Sequence, residues 1–138
     1  MNEPADRRAE ALVRCFEAIA RERMAGLPVM HPGLRVEVVG LAPEAGEPAV
    51  LSGVLLTPWF MNLVRLPLRR LDGLAGLADG WLPVGQRGSR RLGQWSLDFL
   101  GGQEAELGVF ESASLFSPMA EFADQAAAQA AAAAALNH

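Results

Sequence analysis

The sequence predicts an α+β fold: an antiparallel or mixed sheet of about four strands, with one helix at each end of the chain packed on it. Two observations lead to this prediction. Two segments carry helix signals, an apolar stripe over residues 4–25 and a capping residue before an Ala-rich run over residues 118–136, and apolar residues alternate as in strands at intervals over residues 34–116. The 138 residues are the length of one domain with its own core, so we assign residues 1–138 to a single domain.

The segment at residues 4–25 is predicted to be an amphipathic helix. Its apolar stripe consists of Ala9, Leu12, Val13, Phe16, Ile19, Ala20 and Met24. Gly26 and Pro28 then end the helix, because glycine adopts the left-handed cap and proline lacks the N–H that a further turn needs. Cys15 lies at the edge of the stripe, with no arranged cations to stabilise a thiolate, so we interpret it as a structural thiol.

A first hairpin is predicted after this helix. His31 belongs to the turn that precedes it. Residues 34–40 alternate between apolar and polar side chains, as a half-buried strand does. After a wide loop that contains Pro and Gly, residues 50–56 form a strand that is apolar enough to lie inside a sheet.

A second hairpin is predicted further along the chain. Residues 94–100 alternate as a strand, the pair Gly101-Gly102 provides a turn, and residues 106–115 return antiparallel. Residues 66–91, between the two hairpins, are rich in Pro and Gly and are predicted to be mostly loop with one helical turn.

The C-terminal helix is predicted to begin at Ser117, which can cap it, with Pro118 in its first turn. Its second half, residues 126–135, is almost entirely Ala and offers little area for contact with a core, so we expect loose docking. The helix is too short and too weakly apolar to cross a bilayer, and we predict no membrane insertion.

The composition excludes several classes of function. All twelve basic residues are Arg, and the absence of Lys rules out Schiff-base chemistry and lysine-dependent sites of nucleotide hydrolysis. The net charge of −4 disfavours nucleic acid as a partner. One Cys and two His residues are too few for a Cys/His metal site, so we predict no metal and no cofactor. A lone Cys also suits the reducing cytoplasm.

The run Thr57–Pro67 places two large aromatic residues and a Met directly after the second predicted strand. Such residues serve either as core or as a protein-binding surface, because they offer large contact area at low entropic cost. If the strand continued, Trp59 and Phe60 would lie on opposite faces of the sheet. We predict that Trp59 is the exposed member of the pair, since Trp is enriched among interface anchors.

Three motifs resemble those of one known family, in the same order along the chain. They are Arg23–Val29 followed by His31-Pro32 and Val36-Glu37, the block Gly53–Leu63, and Ser114–Met119 followed by Phe122–Asp124. On these motifs the sequence resembles the HybE/HupJ family of accessory proteins for the assembly of nickel-iron hydrogenases. The resemblance covers about residues 10–135 and is weakest over residues 68–93.

The resemblance implies a cytoplasmic chaperone without catalytic activity. Its client would be a hydrogenase subunit precursor, above all the small-subunit precursor with its twin-arginine signal peptide, which the chaperone would hold back from export until maturation is complete. The large subunit is a second candidate client, and the oligomeric state stays open. We place partner binding where the matching motifs are concentrated, at Trp59, Phe60, Met61, Asn62, Leu63, Phe116 and Met119.

A different class of function is a small anion- or ligand-binding domain, or an enzyme, with an arginine-lined pocket between the sheet and the helices. Arg65 or Arg35 would bind the anion, and a hydrolase of this kind would use Glu37 and Asp98. The sequence shows no nucleophile with a His nearby to activate it, so we predict that the protein is not an enzyme and has no catalytic residue.

Overall fold

The computed structural model describes residues 3–137, which form a six-stranded antiparallel sheet with helices on both faces. The elements in chain order are α1 (Glu3–Ile19), continued by a π-helical turn (Ala20–Met24), β1 (Glu37–Glu44), β2 (Glu47–Leu56), β3 (Met61–Pro67), α2 (Gly73–Ala78), β4 (Arg87–Leu92), β5 (Trp95–Glu104), β6 (Gly108–Phe116) and α3 (Gln125–Leu136). The strand order is β1-β2-β3-β6-β5-β4, and all neighbouring strands are antiparallel. The predicted α+β class is confirmed, with two strands more than expected.

Neither additional strand was predicted: β3 lies in the run Thr57–Pro67, which was not assigned to a strand, and β4 lies almost entirely in the segment predicted as mostly loop. β3 pairs with β2 over its whole length and with β6 on its other side, so it is a central strand. Apart from Asn62 and Arg65, its residues are apolar on both faces, a pattern that does not distinguish a buried strand from other apolar segments. β4 consists mostly of Arg, Gly and Ser, and it forms because β5 pairs with it along the edge of the sheet.

The pair Gly101-Gly102 is not a turn, because β5 continues through both residues. A Cβ atom at Gly101 would lie 2.2 Å from the carbonyl oxygen of Pro83, and one at Gly102 would lie 2.9 Å from the ring of Phe110. These glycines therefore allow close approach of other groups to the strand. The turn follows later and ends at Gly108, whose φ of +78° is readily adopted only by glycine.

The terminal helices also differ from the prediction in detail. Regular α-helix ends at Ile19 rather than near residue 25, and the chain continues as a π-helical turn before Gly26 takes the predicted left-handed conformation. The C-terminal helix begins at Gln125 rather than near Ser117. Its cap is Asp124, whose carboxylate accepts a hydrogen bond from a backbone N–H of the first turn at 2.9 Å.

The sheet separates two groups of buried residues. The α1 side contains Leu12 and Phe16 of the helix, packed against Leu51, Leu55, Val64 and Leu66 of β2 and β3. The α3 side contains Val54, Leu56, Met61, Met119, Phe122, Ala128 and Ala132. Loose docking of α3 was the wrong expectation, because its small side chains let the helix lie close to the sheet, where two of its alanines are fully buried.

The side chain of Glu111, on the α3 side of β6, is 0 % exposed. Its Oε1 accepts hydrogen bonds from Arg65 Nη1 (2.6 Å) and Arg90 Nε (3.0 Å). Its Oε2 accepts from Arg90 Nη2 (2.7 Å) and from the backbone N–H of Leu82 (2.9 Å). Four donors from three different segments of the chain therefore satisfy this carboxylate.

Arg65 extends the network to the hairpin β1–β2. Its Nε and Nη2 atoms donate to the two carboxylate oxygens of Glu44, at 2.8 and 3.3 Å. Its guanidinium carbon lies 5.4 Å from the ring centroid of Trp81 and 5.9 Å from that of Phe99. The arginine is thus neutralised by two carboxylates and covered by two aromatic rings.

The electrostatic balance at Glu111 favours the ionised form. Burial by itself would raise the pKa of this carboxyl. The hydrogen bonds from Arg90 and from Leu82, together with the positive charges of Arg90 and Arg65, outweigh burial and hold the pKa of Glu111 below its ordinary value.

We predict that Glu111→Gln lowers the free energy of unfolding by about 3–5 kcal/mol, because it leaves two arginines in the interior without their shared counter-charge. Urea denaturation at neutral pH measures this loss. Glu47→Gln is the matched control: Glu47 is exposed, makes no ion pair among the described residues, and should change the free energy by less than about 0.5 kcal/mol. Equal stability of the two variants would contradict the role given to Glu111.

We also predict a specific dependence of stability on pH. The pKa of Glu111 is lower in the folded chain than in the unfolded chain, where it has its ordinary value near 4.5. Its contribution is therefore fully present above that value and is lost as the pH falls through the folded-state pKa. The difference in unfolding free energy between the wild type and Glu111→Gln should stay constant from pH 7 to about pH 5 and shrink below it. A difference that grew on acidification would refute this assignment.

Candidate functional site

Three segments that are far apart in sequence meet at one end of the sheet. Residues 27–33, 57–63 and 114–124 lie together there, and we call them the apolar corner. The backbone N–H of His31 donates to the carbonyl oxygen of Pro58 at 3.0 Å. Met61 pairs with Phe116 in the β3–β6 ladder. The three motifs that resemble the HybE/HupJ family thus contribute to a single region of the molecule.

His31 connects the first of these segments to the third. Its Nδ1 accepts a hydrogen bond from the N–H of Gly33 at 3.0 Å, which places the proton on Nε2. That nitrogen lies 2.6 Å from the carbonyl oxygen of Phe122 and donates to it. The predicted place of His31 in a turn is confirmed, and both ring nitrogens are occupied by backbone partners.

Thr57 holds the second segment in a tight turn. Its side-chain oxygen accepts hydrogen bonds from the N–H groups of Trp59 (3.2 Å) and Phe60 (2.9 Å). The hydroxyl also donates to the carbonyl oxygen of Phe60 at 3.0 Å, and the Thr57 N–H donates to the same oxygen at 2.8 Å. The turn is therefore rigid, and it ends directly at the first residue of β3.

Trp59 and Phe60 are both half-buried and lie on the α1 side of the sheet. Their ring centroids are 5.4 Å apart, and Phe16 of α1 lies 6.5 Å from the first ring and 5.8 Å from the second. The prediction of one buried and one exposed ring is wrong. It assumed that the strand continued, whereas the turn at Thr57 directs both rings toward the same helix.

The other predicted site residues are divided between the two sides of the sheet. Met61 and Met119 are fully buried in the α3-side core, so they support the corner from inside. Phe116 and Leu63 are half-buried on that side, with the Phe116 ring edge-on to Phe122 at 5.0 Å. Asn62, between Met61 and Leu63 in sequence, points to the α1 side. The seven residues share one end of the sheet rather than one continuous surface.

The exposed part of the corner was not identified from the sequence. Leu27 is 45 % exposed and Val29 is 39 % exposed. Beside them lies an open cavity of about 560 Å³, lined by Pro28, Val29, Met30, His31, Pro32, Pro118 and Ala120. The lining contains no Arg, Asp or Glu. The signal in the sequence is the run of apolar residues and prolines from Leu27 to Pro32, which fits neither helical nor strand periodicity.

The arginine-lined pocket of the alternative function does not form around Arg65 or Arg35. All three guanidinium nitrogens of Arg65 donate to carboxylates, and Arg35 is exposed and lies 3.8 Å from Glu37. The Glu37 carboxylate accepts from two glutamines of α3, whereas Asp98 accepts from Ser89 in the hairpin β4–β5. The two acids thus lie on different strands and on opposite faces of the sheet, so they cannot act on one substrate.

The thiol of Cys15 is buried, and the side chains that could ligate a metal are scattered over the described part of the chain. Burial raises the pKa of the Cys15 thiol to about 11, and the charges of Glu104 and Glu106 add to the shift. The predicted structural role of Cys15 is consistent with this inert thiol. Within residues 3–137, no three His, Cys, Asp or Glu side chains are grouped so as to hold a metal ion. No helix in the described part of the chain has the length and hydropathy to span a membrane.

Known proteins resemble this chain over nearly its whole length. The model of the nickel-iron hydrogenase assembly chaperone HybE family matches residues 7–138. The protein HoxT of Cupriavidus necator is 42 % identical over an alignment of 127 positions that covers 89 % of this chain and 70 % of HoxT. The hydrogenase expression/formation protein HupJ of Bradyrhizobium diazoefficiens is 34 % identical, over 92 % of this chain and 68 % of HupJ.

The fold is also that of a solved structure. The solution structure of HybE from Escherichia coli superimposes with a TM-score of 0.62 at 21 % sequence identity, covering 94 % of this chain and 74 % of that one. The helices on an antiparallel sheet are thus shared with HybE. The match of the family model over almost the entire chain, with relatives at 34–42 % identity, shows that the protein belongs to the HybE family of nickel-iron hydrogenase assembly chaperones.

Proposed function

We propose that this protein binds the precursor of a hydrogenase small subunit through the apolar corner and delays its export until maturation is complete. The observation that carries the proposal is the convergence of the three family motifs around exposed Leu27 and Val29. Binding of this kind takes place in the cytoplasm, before export, and consumes no substrate. The large subunit is a second candidate client.

The chemistry of the corner fits the apolar part of a signal peptide. A signal peptide joins a positively charged start to an apolar stretch of about 7–15 residues. The corner offers an apolar cavity, flanked by proline-rich backbone that His31 and Thr57 hold in place. A preformed surface of this type loses little entropy on binding, which favours recognition by apolar contact.

An electrostatic mode of binding has weaker support. The acidic residues that could receive the two arginines of the signal include Glu44, Glu47, Glu104 and Glu106. Arg65 already pairs with Glu44 at 2.8 Å, and Arg23 pairs with Glu104 at 3.0 Å. These two carboxylates would have to leave existing partners before they bound a client.

We predict that the double variant Leu27→Ser/Val29→Ser binds the small-subunit precursor about tenfold more weakly or worse, because it removes the exposed apolar contacts. Titration of purified protein with a precursor that carries its signal peptide measures the loss. Leu74→Ser/Leu77→Ser is the matched control, since these two residues of α2 are also exposed and lie outside the corner. Melting curves should be unchanged for both double variants.

The same titration separates the apolar from the electrostatic mode. Raising the salt concentration from about 50 to 300 mM should change the affinity less than about threefold if apolar contact dominates. A loss of several orders of magnitude, or an equal effect of the two double variants, would remove the apolar corner as the binding site. Binding that survives deletion of the signal peptide would place recognition in the rest of the subunit.

We further predict that Trp59→Ala and Phe60→Ala each lower the free energy of unfolding by about 1–3 kcal/mol. Both rings are half-buried against Phe16, so each loses part of the 3–5 kcal/mol expected for a fully buried ring. If the exposed edges of the rings contact the client, both variants also weaken precursor binding at temperatures where they remain folded. Full retention of binding by the folded variants would limit the client surface to residues 27–33 and 114–124.

A further inference from the structure

The two edges of the sheet differ in regularity. On β1, the register shifts between Val39 and Ala42 and again between Pro43 and Glu44. Irregular edges with proline resist pairing with a further strand. β4 pairs with β5 in unbroken register from Arg87 to Leu92. Among residues 3–137, no strand pairs with the outer edge of β4, so its backbone groups are open to another strand.

The side chains of β4 alternate between two kinds of surface. Arg87, Ser89 and Arg91 face the α1 side, where all three are exposed. Ser89 donates to Asp98 at 3.0 Å, but neither arginine forms an ion pair with a described residue. The two free guanidinium groups are four residues apart, or about 13 Å along the strand.

The opposite face of β4 carries Gly88, Arg90 and Leu92, and the Arg90 guanidinium on this face is bound by Glu111. Trp95 pairs with Leu92 across the hairpin and is 53 % exposed. Both residues line a groove of about 300 Å³ that extends inward over the sheet and also includes Leu97, Leu63 and Leu136 and the charged residues Glu44 and Arg91. A strand added beside the outer edge of β4 would therefore meet the positive charge of Arg87 and Arg91 on one face, and Leu92 with Trp95 behind it on the other.

We propose that β4 binds an extended segment of a partner protein as a seventh strand. The segment has Asp or Glu at alternate positions, facing Arg87 and Arg91, and apolar residues at the positions between, on the face of Gly88 and Leu92. Main-chain hydrogen bonds provide affinity in this mode, and the alternating side chains provide specificity. The outer edge of β4 and its two arginines share no residue with the apolar corner, so the inference is independent of the proposed client site.

Charge argues against a second copy of this chain as the added strand. Antiparallel pairing of β4 with β4 about a twofold axis would bring the arginines of both copies together. An acidic partner strand instead pairs each of these cations with a carboxylate. The positive charge thus excludes edge-to-edge association of the protein with itself and selects an acidic segment.

Short capped peptides test the proposal. The first peptide, Thr-Glu-Val-Glu-Val-Glu-Val-Thr, alternates acid and apolar residues. A second has the same composition with its glutamates in one block, a third has Lys in place of Glu, and a fourth is the first peptide N-methylated at alternate residues. We expect the first to bind about tenfold more tightly than the other three, with the largest NMR amide shifts at residues 87–92.

Charge reversal provides the control on the protein. Arg87→Glu/Arg91→Glu should invert the preference, so that the Lys peptide binds more tightly than the Glu peptide. Arg21→Glu/Arg69→Glu makes the same change in net charge at two other exposed arginines and should change binding of the first peptide less than about twofold.

Several results would overturn the proposal. One such result is that the peptide with its glutamates in one block, or the N-methylated peptide, binds as tightly as the first peptide. Either result would show that the interaction is unspecific charge attraction and not strand pairing. Tighter binding of a single-stranded oligonucleotide at the same amides would identify nucleic acid as the ligand. If none of the peptides bound at millimolar concentration, β4 would not be a peptide-binding edge. The two arginines would then only protect the edge from pairing with other strands.

Discussion

A carboxylate that is buried without contact to water determines how the strands of this protein are held together. An ionised carboxylate in the interior is stable only when donors satisfy it and cations balance it. At Glu111 the donors come from β3, from β4 and from the segment that precedes β4. Arg65 relays the same interaction to the hairpin β1–β2. The Glu111 carboxylate therefore links β6 to β3, to β4 and, through Arg65, to the hairpin β1–β2. Apolar contacts alone would define the relative position of these strands less well.

This network also supports β4 and the strand that begins at the apolar corner. Arg90 holds β4 through Glu111 and through the carbonyl oxygen of Gly80, at 2.8 Å, so the edge strand is fixed from the α3 side of the sheet. The other two arginines of β4 are exposed on the α1 side. On β3, Arg65 lies three residues beyond Asn62, so the network also secures the strand that begins at the apolar corner. The charges of Glu111, Arg65 and Arg90 thus stabilise the fold, while those of Arg87 and Arg91 remain available for binding a partner.

Charge is unevenly distributed along the chain, and this separates the two surfaces. Residues 68–92 contain five Arg and two acidic residues, whereas the rest of the chain contains seven Arg and fourteen acidic residues. Residues 68–92 are therefore positively charged, although the protein as a whole is acidic, and they include β4. The lining of the cavity at the apolar corner contains no Arg, Asp or Glu. The proposed apolar client segment and the proposed acidic strand would therefore be recognised by different physical interactions.

The sequence alone determined the features that depend on neighbouring residues. Helical spacing identified α1, and alternation identified parts of β1 and β5. An apolar run identified most of β2, the predicted second hairpin included most of β6, and the motifs identified the family. Only the tertiary structure decided that Met61–Pro67 and Arg87–Leu92 are strands, because strand pairing joins residues that are far apart in the chain. It also decided that both rings at Trp59 and Phe60 turn toward α1. The acceptor of the His31 hydrogen bond lies 91 residues away in the sequence, and Arg65 and Glu111 are 46 residues apart. No local sequence pattern could therefore reveal these two bonds.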